Sequence, residues 1–309
     1  MITTVTLNPA VDKTYTGARL LPGNVNRMDS LKSIAGGKGI NVTKVLRQFG
    51  IPVRAMGFLG GYTGRFIEEY VRKIGADCAF TLIGQDTRCS MNLLTEDGYV
   101  TEILEPGPRI SEEELRQFLT DYEKALADSE MMILSGSVPL GVPEDIYALL
   151  IRAAKQAGKK VLLDSSGAFL KAGTEAKPYL IKPNRKELEI LAGRGLKSEE
   201  EVRDAACGLC RQGIENVVVS LGDKGLMLVT EETTLLARAP RVKAVNTVGC
   251  GDSVVASLAM SLHGKEEKET ALKKAAALSA ANATTLESGV VPVETFKELL
   301  AKVKVDRKR

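Results

Sequence analysis

Short apolar runs alternate with runs of helical period along most of this 309-residue chain, and no other feature restricts the fold as strongly. Residues 3–7, 53–59, 131–134, 161–164, 179–181 and 217–220 are rich in Val, Ile and Leu, as strands buried on both faces require. Between them Val42, Val45, Leu46 and Phe49 recur at helical spacing, and Gly50 and Pro52 end that stripe. Phe66, Ile67, Tyr70, Val71 and Ile74 make a second stripe. Leu115, Phe118, Leu119 and Tyr122 make a third, behind the capping pair Ser111 and Glu114. The alternation predicts an α/β fold whose largely parallel sheet is covered by helices on both faces. Residues 249–262 and 268–285 predict two alanine-rich helices packed closely together.

Two regions break the pattern. Residues from about 12 to 34 and from about 87 to 104 read as extended segments without helices, and Asp97-Gly98 predicts a hairpin turn within the second. The expectation is one domain over residues 1–309, with these segments paired into a small sheet that stands off the main one as a lid. Its apolar residues Met91, Leu93, Leu94, Val100 and Ile103 suit pairing with a second copy, a homodimer through the lid.

Composition removes several classes of function. The chain has 42 basic and 39 acidic residues, a net charge of +3, too balanced for a general nucleic-acid binder. No apolar run reaches the length of a membrane span, and the N-terminus reads as a first strand, so a cytoplasmic protein without a membrane partner is expected. Five cysteines, an odd number, fit a reducing compartment. Cys207 and Cys210 fall inside an amphipathic helix over about 202–212, behind a capping box of Ser198 and Glu201, which favours core packing over a metal site. The single histidine, His263, removes histidine-centred triads and multi-histidine metal sites, and is expected to cap a helix end.

The most specific local feature is Asn246-Thr247-Val248-Gly249-Cys250-Gly251-Asp252-Ser253, which leads into an apolar helix. Gly249, Cys250 and Gly251 let the backbone turn tightly and aim N–H groups at one point, where the helix dipole adds positive potential. Asp252 at that point can take a proton from a substrate hydroxyl, so the turn suits phosphoryl transfer. Taken alone it is equally an ordinary helix start. A second cluster, Gly36-Gly37-Lys38-Gly39, opens the helix that carries Asn41; Lys38 offers a cation and Asn41 a donor and an acceptor. It is neither a Walker A loop nor a dinucleotide fingerprint, which weakens an oxidoreductase reading. Loops at 135–137, 182–187 and 220–225 follow strands, and such loops converge on one cleft in an open parallel sheet.

Seven motifs then occur in order: residues 6–12, 36–42, 135–139, 164–167, 182–184, 220–225 and 246–253. On these the chain resembles PfkB-type carbohydrate kinases over essentially its full length. The resemblance implies a ribokinase-like three-layer α/β/α sandwich, mostly parallel, with a small β-sheet lid that usually contributes to a dimer interface. It implies ATP and Mg²⁺ as cofactors. It makes Asp252 the base and the turn before it the anion hole. It sets Asp12, Gly36, Gly37, Lys38, Asn41, Arg88, Arg27 and Ser137 on the sugar side. Lys182, Asn184, Ser220, Gly222 and Gly225 fall on the nucleotide side, and Asn184 with Glu187 match an element associated indirectly with magnesium. Cys250 stands where alanine is common in the family.

Lys38 and Arg88 suit a phosphorylated sugar rather than a neutral one. Residues 87–90 and 101–105 look more like tagatose-6-phosphate kinases, whereas 39–42 and 164–167 look more like 1-phosphofructokinases. The sequence reading leans to tagatose 6-phosphate, with fructose 1-phosphate as its nearly equal alternative; either gives a ketohexose 1,6-bisphosphate. A non-catalytic sugar-phosphate sensor on the same fold is the reading from a different class, and the intact Gly249-to-Asp252 turn argues against it.

Overall fold

The computed structural model describes residues 1–308, the side chain of Val100 excepted. The chain runs β1 (Ile2–Thr6), β2 (Ala10–Gly17), β3 (Ser30–Gly36), α1 (Lys38–Gln48), β4 (Val53–Gly60), α2 (Gly61–Lys73), β5 (Asp77–Ile83), β6 (Arg88–Thr95) and β7 (Val100–Leu104). It continues through α3 (Glu112–Asp128), β8 (Met131–Ser135), α4 (Ile146–Gln156), β9 (Lys160–Asp164), α5 (Gly167–Glu175), β10 (Leu180–Ile181), α6 (Arg185–Ala192) and α7 (Glu199–Arg211). The last part holds β11 (Asn216–Ser220), β12 (Leu226–Val229), β13 (Thr234–Arg238), α8 (Cys250–His263), α9 (Lys268–Asn282), α10 (Val293–Lys302) and β14 (Lys304–Lys308).

Ten strands form one sheet in the order β14-β13-β12-β11-β10-β9-β8-β1-β4-β5. Neighbours from β5 to β11 pair in parallel, and β12, β13 and β14 add an antiparallel edge. Side chains alternate between the two faces of a strand, and β8 shows why its sequence is apolar throughout. Met132 and Leu134 join a core with Phe118, Tyr122, Tyr147 and Ile151 from α3 and α4. Met131 and Ile133 join the opposite core with Val42, Leu46, Val254 and Leu272 from α1, α8 and α9. The result is a mixed α/β fold with a large, mostly parallel sheet flanked by helices. Each fully buried Phe, Leu or Ile contributes roughly 1.5–3 kcal/mol.

A second sheet of four strands, ordered β3-β2-β6-β7, is built from the two extended regions, with β2 and β6 parallel at its centre. Leu31 and Leu104 on it are 54 % and 62 % exposed. Val100, which the sequence reading counted among its apolar residues, has a side chain outside the described set. No helix among the described residues is long and apolar enough to cross a membrane.

Two local expectations need correction. His263 does not cap a helix end; it is the last residue of α8, and its Nδ1 lies 2.7 Å from Glu130 Oε2, so a carboxylate across the surface holds it. Ser198 does cap α7 by accepting from the Glu201 amide, but the reciprocal half of the box is missing. Glu201 Oε2 instead accepts from the Lys197 amide at 2.5 Å, one residue earlier. Cys207 and Cys210 are free thiols in α7, and Cys210 packs in the core with its Sγ 3.4 Å from the Val229 carbonyl. Among the described residues no group of His, Cys, Asp or Glu is arranged to hold a metal.

Candidate active site

The start of α8 is shaped by Gly249, which adopts the left-handed conformation with φ 85°. A Cβ there would lie 2.9 Å from the Gly289 amide nitrogen and 3.1 Å from Ser288 Cβ, so both conformation and space require glycine. The first amides of a helix have no intrahelical acceptor, and here no side chain caps them. Asp252 follows in the first turn and is 5 % exposed. Asn41 Nδ2 donates to its Oδ2 at 2.8 Å, joining α1 to α8 across 211 residues of sequence. Burial pushes the Asp252 carboxyl up to about 6, with Asp164 adding to the rise and Lys38, Asn41 and Lys182 opposing it.

Lys38, at the first position of α1, reaches the same point from the other side. Its Nζ lies 3.0 Å from Asp164 Oδ1, and Lys182 Nζ lies 3.4 Å from the same oxygen. Asp164 ends β9 and is wholly buried, with its Oδ2 lacking a hydrogen-bond partner. Burial works against its charge, yet Lys182 and Lys38 outweigh that and hold its carboxyl below the usual carboxylate range. Burial likewise disfavours the Lys38 ammonium, but Asp164 and Asp252 keep it above the usual lysine range. With its side chain 38 % exposed, Lys38 remains open to a ligand. Lys182 does not line the large cavity described below; its Nζ is 3.2 Å from where a Gly251 Cβ would stand.

Asp12 lies on β2 beside Gly36, where any Cβ would fall 2.0 Å from Asp12 Oδ2. Burial raises the Asp12 carboxyl, against the pull of Lys44 and Arg88. Arg88 opens β6 and is braced on backbone carbonyls, with Nε 3.3 Å from Asn8 O and Nη1 3.0 Å from Glu105 O. Ser137 lies past β8 and accepts from Asn8 Nδ2 at 3.3 Å. Arg27 is not gathered with the others. It lies exposed in the loop over 18–29 and makes no hydrogen bond or ion pair among the described residues.

A cavity of about 360 Å³ by Arg185 and Ser198 flanks a larger one of about 860 Å³. The larger runs from Asn184, Ser220, Gly222 and Gly225 to Cys250 and Gly251 at the start of α8. Gly225 has φ 105°, and a Cβ on it would meet the Ala237 carbonyl at 2.0 Å, which holds the loop close against β13. Asn184 caps α6 by accepting from the Glu187 amide at 2.9 Å, and Glu187 Oε2 accepts from the Asn184 amide at 2.8 Å. The pair read in sequence as a magnesium element is thus a complete capping box, with Glu187 Oε1 left over.

Sequence reasoning passed over three contributors. Lys44, buried on α1, donates to Asn41 Oδ1 at 3.0 Å and to the Ser288 carbonyl at 3.2 Å. Asn282, at the end of α9, accepts from Ser253 Oγ and from the Gly289 amide, both at 3.1 Å. Asp164 stood in a motif without a role. Lys44 lies off the apolar stripe of Val42, Val45, Leu46 and Phe49, beside Asn41, Arg47 and Gln48, so its position in the sequence carried no signal.

The description "pfkB family carbohydrate kinase" belongs to the family model that matches residues 2–295. The 1-phosphofructokinase of Bacillus subtilis (strain 168) is 38 % identical over 307 residues, covering 99 % of this chain and 100 % of the relative. Phosphofructokinase-2 from Escherichia coli in complex with potassium superposes with a TM-score of 0.91 at 29 % identity, over 97 % of this chain and 98 % of that one. The same enzyme in its tetrameric inhibited form gives 0.89 at 30 % identity, over the same shares.

Proposed function

This chain belongs to the pfkB family of carbohydrate kinases, and from that premise we propose that it phosphorylates fructose 1-phosphate with ATP, giving fructose 1,6-bisphosphate. A full-length relative at 38 % identity carries the name 1-phosphofructokinase, and this favours the alternative of the sequence reading over tagatose 6-phosphate. The observation that carries the chemistry is Asp252, buried at an uncapped helix start within hydrogen-bond distance of Asn41 and in the field of two lysines.

In this reading Asp252 accepts the proton of the C6 hydroxyl as that oxygen attacks the γ-phosphorus in line. The amides of Gly249, Cys250 and Gly251 receive the charge developing on the phosphoryl oxygens. Lys182, against Gly251, supplies cationic charge at the same spot. Lys38, Arg88, Asp12 and Asn41 hold the sugar phosphate, the two cations facing its 1-phosphate. Ser137 lies at its margin, and Arg27, apart from these residues, is given no part in holding the sugar. The nucleotide occupies the cavity between Asn184, Ser220, Gly222 and Gly225. The free Oε1 of Glu187 fits a hydrated Mg²⁺, held through water with Asn184 nearby, and such an ion would neutralise phosphate charge. The four-stranded sheet acts as the lid that keeps water from the γ-phosphoryl. Its exposed Leu31 and Leu104 suit a homodimer through that sheet, and the free cysteines suit a reducing cytoplasm.

ADP release with fructose 1-phosphate, fructose 6-phosphate, tagatose 6-phosphate and unphosphorylated sugars tests the reading. The highest kcat/KM is expected for fructose 1-phosphate. A higher value for tagatose 6-phosphate would overturn the sugar, and no ADP with any of them would overturn the kinase. Asp252→Asn should lower kcat by at least roughly 10² while sugar binding persists. Because the base must be ionised, wild-type kcat should fall as pH drops through about 6.

A further inference from the structure

We propose that Lys44 is a positioning residue for Asp252, acting through the Asn41 side-chain amide and the backbone at 288–289. The inference rests on the reading of Asp252 as the base. Lys44 lies three residues after Asn41 on α1 and is buried. Its Nζ donates to Asn41 Oδ1 at 3.0 Å and to Ser288 O at 3.2 Å, and lies 5.5 Å from the Tyr70 ring centroid. An ammonium only donates, so Asn41 must turn its oxygen toward Lys44. That leaves Nδ2 directed at Asp252 Oδ2, where it donates at 2.8 Å. Without the cation, the amide has a second orientation of nearly the same shape, in which its carbonyl oxygen faces the carboxylate.

The second contact supports the glycine turn. Gly289 follows Ser288, and its amide nitrogen is the atom that a Cβ on Gly249 would meet at 2.9 Å. The same amide donates to Asn282 Oδ1, which also accepts from Ser253, the neighbour of Asp252. One ammonium therefore fixes both the amide that faces the base and the backbone that underlies its turn.

Asp12 on β2, Asp252 on α8, Glu287 in the loop after α9 and Tyr70 on α2 are the titratable groups facing Lys44. Burial lowers the Lys44 ammonium to about 8, against the attraction of the three carboxylates. A neutral amine can accept as well as donate, so as pH rises through about 8 the Asn41 amide is held in its orientation chiefly by the Asp252 carboxylate alone.

The test compares kcat, KM and pH profiles of the wild type, Lys44→Met, Lys44→Arg and Asp252→Asn, with melting curves for each. Lys44→Met should lower kcat roughly 10-fold or more with KM for ATP little changed, and KM for the sugar phosphate, which Asn41 also holds, should rise less than kcat falls. Its acidic limb should move to higher pH, because Asp252 loses the Asn41 hydrogen bond that favours its charge. Lys44→Arg stays cationic at high pH, so it should recover most of kcat and lose the fall above about pH 8. A Lys44→Met enzyme whose kcat drops only with its folded fraction, pH limbs unmoved, overturns the proposal. If that variant does not fold, an alkaline limb that stays in place in Lys44→Arg overturns it instead. Full turnover in Asp252→Asn would sink the base itself; an inactive Asp252→Asn beside a wild-type-like Lys44→Met sinks only the role of Lys44.

Discussion

Two helices open on the same cavity and begin in opposite ways. Asn184 starts α6 with a complete capping box, so two of its end amides are satisfied within the chain. Gly249 starts α8 in a left-handed conformation with no side-chain cap, although Asn246 Oδ1 secures the preceding Val248 amide at 2.9 Å. The first arrangement stabilises a helix whether or not a ligand is present. In the second the Cys250 amide donates to the Thr247 carbonyl at 3.3 Å, while the Gly249 and Gly251 amides have no partner among the described residues, an end whose dipole suits an anion. A capped end and an uncapped end thus differ in who satisfies the backbone.

The largest effect that can break this contrast is expected from Gly249→Ala. Strain at the left-handed position and the approach to Gly289 should cost about 1–3 kcal/mol of stability, read from denaturant unfolding. Displacing the turn amides should also lower kcat by roughly 10²-fold. Wild-type values in both measurements would show that the turn has no special geometry. Asn184→Ala should cost about 1 kcal/mol, because α6 loses its cap, and should raise KM for ATP while sparing kcat. A loss confined to kcat would mean that α6 serves the chemistry more than the scaffold. Cys250→Ala should do least, near 1 kcal/mol or less in stability with kcat close to wild type, since the turn contributes backbone N–H groups there. A large fall in kcat would instead give the thiol a part in catalysis.

Much of the architecture was legible because burial on two faces writes itself into consecutive residues, as in Met131, Met132, Ile133 and Leu134. The turn at Gly249 to Asp252 was legible because tight backbone geometry demands glycine locally. Lys44 was not, because what makes it unusual is a carbonyl 244 residues away. Asn282 was hidden in the same way, between partners that only the packing of α8 on α9 brings near. The Asn184 and Glu187 spacing was visible but ambiguous, since one pattern serves a capping box and a metal-associated element alike.

The packing of α8 has a consequence for how such a protein can change. Val254, Ala256, Leu258 and Ala259 are buried against the sheet and the alanine-rich α9, so Asp252 opens a helix packed within the core. Asp12 and Arg88 stand instead on strands of the four-stranded sheet, which have fewer buried neighbours. On the proposed reading the base and part of the sugar contacts therefore sit on different supports, although Lys38 and Asn41 belong to α1, which packs in the same core as α8. On that reading, substitutions in β2 and β6 should alter the preference of the cleft for its acceptor more than the transfer of the phosphoryl group.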